Sequence, residues 1–162
     1  MLVKENFLEQ EYFNTLQELV LGDDFPWYYS DGVNFKGSDN APYFQFQYTL
    51  FTKNRENSAH YQLLEPLLSA LNIKAVCRAK FNLITRTNEI VEHGLHTDMA
   101  DNTTAILYFN TNNGYTKFET GESITSEANK LLEFSSNLKH TGSSCTDKKI
   151  RVVLNLNYYT YG

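Results

Sequence analysis

A chain of 162 residues, 41% hydrophobic and 20% charged, has the length and balance of one globular domain that buries a core unaided, which excludes a disordered or fibrous protein. A net charge of −5 argues against non-specific nucleic-acid binding, which needs a cationic surface. No run of 18 apolar residues is present to cross a membrane, MLVKENFLEQ lacks a signal peptide's apolar stretch, and two cysteines, Cys77 and Cys145, fit a reducing cytoplasm, so a cytoplasmic location is expected.

Leu8, Tyr12, Leu16, Leu19 and Val20 form one stripe at helical spacing, which predicts an amphipathic helix over residues 5–21 that stops at Gly22. Phe25-Pro26-Trp27-Tyr28-Tyr29 reads as an extended segment or lid that plugs a core, and residues 30–42, with Asp-Gly and Ser-Asp-Asn, as a loop. From Tyr43 to Phe51 the period becomes two, with Phe44, Phe46, Tyr48 and Leu50 alternating against Gln45, Gln47 and Thr49, a strand with one buried face. Ser58 can cap a second helix running to about Leu71, whose main body Pro66 starts or kinks. Strands are then expected over 75–85, 104–110, 115–120, 130–134 and 150–160, separated by turns such as Asn112-Asn113-Gly114. The predicted class is mainly β with supporting α-helices, a single domain over 1–162 with helical support in 1–72 and a β-barrel core in 73–162.

In the 75–85 strand Cys77, Ala79, Phe81 and Leu83 make an apolar face, and Arg78, Lys80 and Asn82 a polar one. The polar face meets either solvent or a ligand-filled barrel mouth, and Asn82 is the first candidate for a ligand contact. His96 and Asp98, two apart in an extended chain, project to one side and can bind one metal ion. His140 is the only histidine downstream and supplies the third ligand. Two imidazoles and one carboxylate on one face of an octahedron suit iron(II) and leave three positions open. Arg151 opens the apolar strand Ile150–Asn155, and its fork fits a carboxylate such as the distal group of 2-oxoglutarate, the alternative being a surface position paired with Asp147 or solvent. His93, an odd number of residues from His96, falls on the opposite side and belongs to the approach loop, and His60 reads as exposed. Lys139, Lys148 and Lys149 read as a solvated rim, the alternative being a patch that steers an acidic partner.

Taken in order, Arg78-Ala79-Lys80-Phe81-Asn82-Leu83, His96-Thr97-Asp98, Thr104-Ala105-Ile106-Leu107-Tyr108-Phe109-Asn110, Gly114-Tyr115-Thr116-Lys117-Phe118, Lys139-His140-Thr141-Gly142 and Arg151 resemble the 2-oxoglutarate/Fe(II) dioxygenase superfamily. The nearest likeness is to its small prolyl-4-hydroxylase-like members of phage and marine bacterial type. The resemblance implies a double-stranded β-helix (jelly-roll) core, Fe(II) on His96, Asp98 and His140, 2-oxoglutarate on Arg151, and ascorbate as a candidate reductant. It further implies hydroxylation of an unactivated C–H bond with release of succinate and CO2, a prolyl or other peptide side chain or a small molecule as substrate, and the host cytoplasm if the gene is carried by a phage. Asp98, rather than a Gly or Ala, favours hydroxylation over halogenation. Where family members often carry Ser two residues after the arginine, this chain has Val153, so Tyr108, Asn82 or Thr104 is expected to contact the distal carboxylate instead, Tyr108 first. The long 86–95 loop and the Trp27 region are expected to frame the substrate entrance. Two other readings stay open: a cupin-like metal enzyme with no role for Arg151, and a non-catalytic jelly-roll binding or structural protein.

Overall fold

The computed structural model describes residues 1–33 and 43–161, so the expected loop over 30–42 lies, from residue 34 on, outside the described residues. Its strands are β1 (Leu2–Lys4), β2 (Tyr28–Ser30), β3 (Gln45–Thr52), β4 (Arg55–Glu56), β5 (Ile73–Thr85), β6 (Thr103–Tyr108), β7 (Tyr115–Phe118), β8 (Ser123–Thr125), β9 (Leu131–Ser135), β10 (His140–Gly142) and β11 (Ile150–Thr160). A large sheet runs β1-β9-β6-β11-β5-β3-β2, with β4 on β3, and a small one runs β10-β7-β8. All pairings are antiparallel. The two sheets face each other across a cavity, which is the jelly-roll architecture expected.

Side-chain alternation sorts the large sheet. Ala79, Phe81 and Leu83 of β5, Leu154 and Leu156 of β11, and Ala105 and Leu107 of β6 face outward into the main core. There they meet Phe13, Leu16 and Val20 of helix α1 (Gln10–Leu21) and Leu67 of helix α2 (Glu65–Ala70). Each fully buried Leu or Phe contributes about 1.5–3 kcal/mol, so this layer fixes the sheet from behind and leaves its other face to the cavity.

Several boundaries differ from expectation for local reasons. Helix α1 starts five residues late because Leu2–Lys4 pairs with β9 and Asn6, at φ 48°, turns the chain. Asn129 then clamps Leu8, accepting from its N–H and donating to its carbonyl, and the Glu9 carboxylate caps the helix by accepting from the N–H groups of Glu11 and Tyr12. Phe13, absent from the expected stripe, is one of its buried residues. Ser58 does cap the second helical region, but this is a 3-10 turn over Ala59–Leu64 followed by α2, with Pro66 in the first turn. Of the aromatic run, Phe25 plugs the core while Tyr28 and Tyr29 lie exposed. In β3 the alternation is imperfect, since Phe44 just before it is exposed and Gln45 is buried. β1, β8 and β10, three residues each, carry too little pattern to be read from sequence. No helix of the described residues is long and apolar enough to cross a membrane.

Candidate metal centre and its cavity

The stretch carrying His96 and Asp98 is extended but joins no strand. It is held by isolated bridges, Glu92 to Ser143 and His96 to His140. His96 and His140 exchange both backbone hydrogen bonds, each 2.9 Å, so they are directly opposite one another and their rings stand 4.6 Å apart. A further bond from the Asp98 N–H to the Ser136 carbonyl fixes the next turn of this segment. Chain pairing therefore brings together residues far apart in sequence, and one ligand-type atom from each of His96, Asp98 and His140 lies within 4.8 Å of the others. Among the described residues this is the only such cluster.

Protonation suits a cation. The His140 Nδ1 lies 3.0 Å from the Leu138 carbonyl, which can only accept, so Nδ1 donates there and Nε2 is turned towards Asp98 at 3.9 Å. His96 repeats the arrangement through Gly94, with Nε2 also 3.9 Å from the carboxylate. Burial pulls the His96 imidazole below its ordinary pKa, and His140 beside it adds to this, so the ring stays neutral. Burial alone would push Asp98 up, but Arg78, His140 and hydrogen bonds from Asn157 and Thr104 outweigh it and hold the carboxyl below its usual range. The Arg78 guanidinium donates to Oδ1 at 3.2 Å, and Thr104 and Asn157 donate to Oδ2 at 2.9 and 3.2 Å. Asn157 also donates to Thr104 and accepts from Arg78. Two imidazoles, each turned by a backbone carbonyl, and an oriented carboxylate held below its usual range form a donor set that fits a divalent ion such as iron(II).

A cavity of about 320 Å³ opens beside this cluster, lined on the large sheet by Arg78, Lys80, Asn82 and Ile84 of β5 and by Arg151, Val153 and Asn155 of β11. The polar face of β5 thus meets a cavity, not bulk solvent. In register, Asn157 lies opposite Arg78, Asn155 opposite Lys80, Val153 opposite Asn82 and Arg151 opposite Ile84. The opposite wall is the small sheet, where His140 pairs with Phe118 and Gly142 with Thr116.

Arg151 is 4% exposed and has no carboxylate in ion-pair range among the described residues. Asp147 accepts from the Asn113 N–H instead, which removes the surface-pair alternative. The Arg151 Nε donates to Ser126 Oγ at 2.8 Å, Nη2 reaches Thr116 Oγ1 at 3.4 Å, and the guanidinium lies 5.6 Å from the Tyr108 ring centre. Gly114 and Gly142 make room for it: a Cβ on Gly114 would stand 2.7 Å from Arg151 Cδ, and one on Gly142 would stand 3.5 Å from Nη1. Thr116 is one side-chain step along β7 from Phe118, the partner of His140, so the guanidinium lies about 7 Å along the small sheet from the metal cluster.

Of the candidate cosubstrate contacts, Tyr108 lies beside Arg151 and Thr104 at Asp98. Tyr108 is fully buried and not in the cavity wall; its hydroxyl donates to Thr116 Oγ1 at 2.8 Å and its ring lies against the Arg151 guanidinium. Thr104 serves Asp98. Asn82 does line the cavity, and its buried Oδ1 has no hydrogen-bond partner among the described residues.

His93 and His60 stand outside the cluster. His93 is half-buried against Tyr43, and burial, with Arg151 nearby, pulls its pKa down to about 4. His60 is half-buried rather than exposed, with Nδ1 2.9 Å from the Tyr48 hydroxyl and its ring against Phe25. Residues 86–95 run pinned along 142–149, and neither they nor Trp27 line the cavity, whose lining includes Val33, Gln45, Thr97 and Met99. Of the rim lysines, Lys139 pairs with Glu119 at 3.2 Å.

Arg78, Thr116, Ser126, Asn155 and Asn157 were not singled out in the sequence as site residues. For the last two a signal exists: Arg151, Val153, Asn155 and Asn157 repeat at period two, which places both asparagines on the arginine's face. Ser126, in a connecting segment, offers none.

No family model and no curated protein matches the chain. Solved structures do match. A 2OG-Fe(II) oxygenase family oxidoreductase from Burkholderia pseudomallei superposes with TM-score 0.68 at 10% identity, covering 98% of this chain and 83% of that one. A Trichoplax adhaerens prolyl hydroxylase in complex with a hypoxia inducible factor peptide fragment gives 0.64 at 14% identity, with 98% and 82% covered. HygX from Streptomyces hygroscopicus, with nickel, 2-oxoglutarate and hygromycin B bound, gives 0.62 at 10% identity, again with 98% and 82% covered. The chain has the fold of the 2-oxoglutarate/Fe(II) oxygenases.

Proposed function

We propose that the chain is a 2-oxoglutarate-dependent Fe(II) oxygenase that hydroxylates an unactivated C–H bond and releases succinate and CO2. The observation that carries this reading is the buried, carboxylate-free Arg151 at one end of a cavity that has His96, Asp98 and His140 at the other. A buried guanidinium without an anion is unfavourable by several kcal/mol, and a dicarboxylate reaching from the metal cluster supplies the missing charge.

In this reading His96, Asp98 and His140 hold the iron. The iron, with 2-oxoglutarate bound, supplies O2 activation and C–H oxidation. The remaining work belongs to the chain. Arg78, Thr104 and Asn157 keep Asp98 ionised and aimed. Arg151 receives the distal carboxylate bidentately. Thr116 takes the place of the missing Ser: its Oγ1 already accepts from Tyr108, so its own proton is left to donate to that carboxylate. Ser126, by accepting from Nε, holds the guanidinium edge-on to the cavity. Asn82 lies between the two ends and offers its amide to the cosubstrate. Ile106, Ile84 and Val153 exclude water along the cosubstrate's methylenes.

A peptide or small molecule is the substrate; relatives in fold are known with a peptide and with hygromycin B bound. Aerobic incubation of the Fe(II) protein with 2-oxoglutarate is expected to yield succinate by slow uncoupled turnover, and Asp98→Ala is expected to yield none. No succinate above an iron-only control would overturn the assignment.

A further inference from the structure

The cavity holds more positive charge than the proposed chemistry uses. Its lining includes three cations, Arg78, Lys80 and Arg151, and among the described residues a single carboxylate, Asp98. Arg78 is paired with Asp98. Arg151 takes one carboxylate of 2-oxoglutarate, which leaves only the other to offset a divalent metal already counted apart from Asp98. The metal end therefore keeps a net positive charge, and Lys80 adds another.

Lys80 has no hydrogen bond or ion pair among the described residues. It projects from β5 in the row of Asn155, between the row of Arg78 and Asn157 at Asp98 and the row of Asn82 and Val153. The row of Arg151 lies two side-chain steps away, about 14 Å along the sheet, so the two cations enter the cavity from different positions along it. A cation lining a cavity and lacking a counter-ion is unfavourable unless something that enters the cavity brings one.

We infer that the substrate is an anion whose negative group is received by Lys80, next to the metal. This rests on the 2-oxoglutarate reading above. The shared chemistry is a small oxyanion, a carboxylate or a phosphate, with Asn155 opposite Lys80 available as a second polar partner. A neutral stretch of peptide backbone would leave Lys80 as unmatched as before, so an amino acid, a short acid or an acidic side chain fits better than the interior of an uncharged peptide.

The test uses the whole protein loaded with Mn(II) and 2-oxoglutarate under argon, with acetate and inorganic phosphate as probes and acetamide as the neutral control. Paramagnetic relaxation of the probe resonances reports binding near the metal, and calorimetry in the same samples reports 2-oxoglutarate affinity. Saturable relaxation of acetate identifies a carboxylate site and that of phosphate a phosphate site; acetamide should show neither. Lys80→Met should weaken the anion by roughly 10- to 100-fold while 2-oxoglutarate binds as before, and Lys80→Arg should keep most of it. Unchanged 2-oxoglutarate binding in Lys80→Met also shows that the variant folds. Absence of anion binding to the 2-oxoglutarate-loaded wild type, or anion binding that survives Lys80→Met, overturns this inference alone. A loss of 2-oxoglutarate affinity in Lys80→Met overturns it by assigning Lys80 to the cosubstrate, and failure of the wild type to take up 2-oxoglutarate overturns the underlying reading with it.

Discussion

At the metal end of the cavity Asp98 is met by a guanidinium, a hydroxyl and an amide, all donating, so its charge is settled before any ligand arrives. At the far end Arg151 meets two hydroxyls and the face of a tyrosine, which orient it without neutralising it. Both are buried charges in one cavity. The first is organised to keep its geometry when a cation comes and goes; the second stores an unmet demand for an anion. Residues that serve the first end should therefore change metal affinity, and residues that serve the second should change cosubstrate affinity and leave the metal alone.

The largest effects should come from the cluster itself. His96→Ala, Asp98→Ala and His140→Ala are each expected to abolish the weak visible absorption that anaerobic Fe(II) and 2-oxoglutarate give together, whereas His60→Ala should retain it. A band that persists in His140→Ala would mean that the third ligand lies elsewhere. Next in size is Asn157→Leu, which removes a donor from Asp98 and from Thr104 and leaves Arg78 less well placed. Metal affinity should fall by about 10- to 100-fold, with 2-oxoglutarate affinity at saturating metal changing little. Equal losses in both would erase the division between the two ends.

A smaller effect concerns the metal-free protein. Burial pulls the Lys80 ammonium down to about 8, with Arg78 adding to the shift and Asp98 opposing it. The ordinary lysine pKa is about 10.4, so between these values the unfolded chain binds more protons than the folded one and stability rises with pH. Below about 8 both states are protonated and the penalty is present in full. In urea melts, wild type should therefore gain on the order of 2 kcal/mol relative to Lys80→Met as pH is raised through this window. A difference that is flat with pH would show Lys80 to be freely hydrated.

The contrast between the ends also explains what the sequence could reveal. His96, Asp98, His140 and Arg151 stand out because such residues are conspicuous beside apolar strands, and the period of two in β5 separates a polar face from an apolar one without saying whether the polar face meets solvent or a cavity. The partners were harder to see. Tyr108, expected at the carboxylate, lies against Arg151 and donates to Thr116, a partner that its own strand does not announce. Thr104 is on the inner face as alternation requires, yet its register opposite Asn157 places it at Asp98. Register across strands, unlike alternation along one, is not written in a single segment. The short strands β1 and β10 illustrate this most plainly: β10 has three residues and no periodic signal, yet its pairing sets His140 opposite His96.

The central claim, that Arg151 is the partner of a dicarboxylate reaching from the metal, is tested most directly by titrating the metal-loaded, anaerobic wild type and Arg151→Met with 2-oxoglutarate and with pyruvate. Arg151→Met touches no metal ligand, so metal affinity should stay within a few-fold. Loss of a charge-assisted bidentate contact should weaken 2-oxoglutarate by roughly 2–4 kcal/mol, about 30- to 1,000-fold, and Arg151→Lys should recover only part of it. Pyruvate, lacking a distal carboxylate, should bind wild type poorly and hardly distinguish the two proteins. Equal 2-oxoglutarate affinities in wild type and Arg151→Met would contradict the claim and favour a metal enzyme that does not use this cosubstrate.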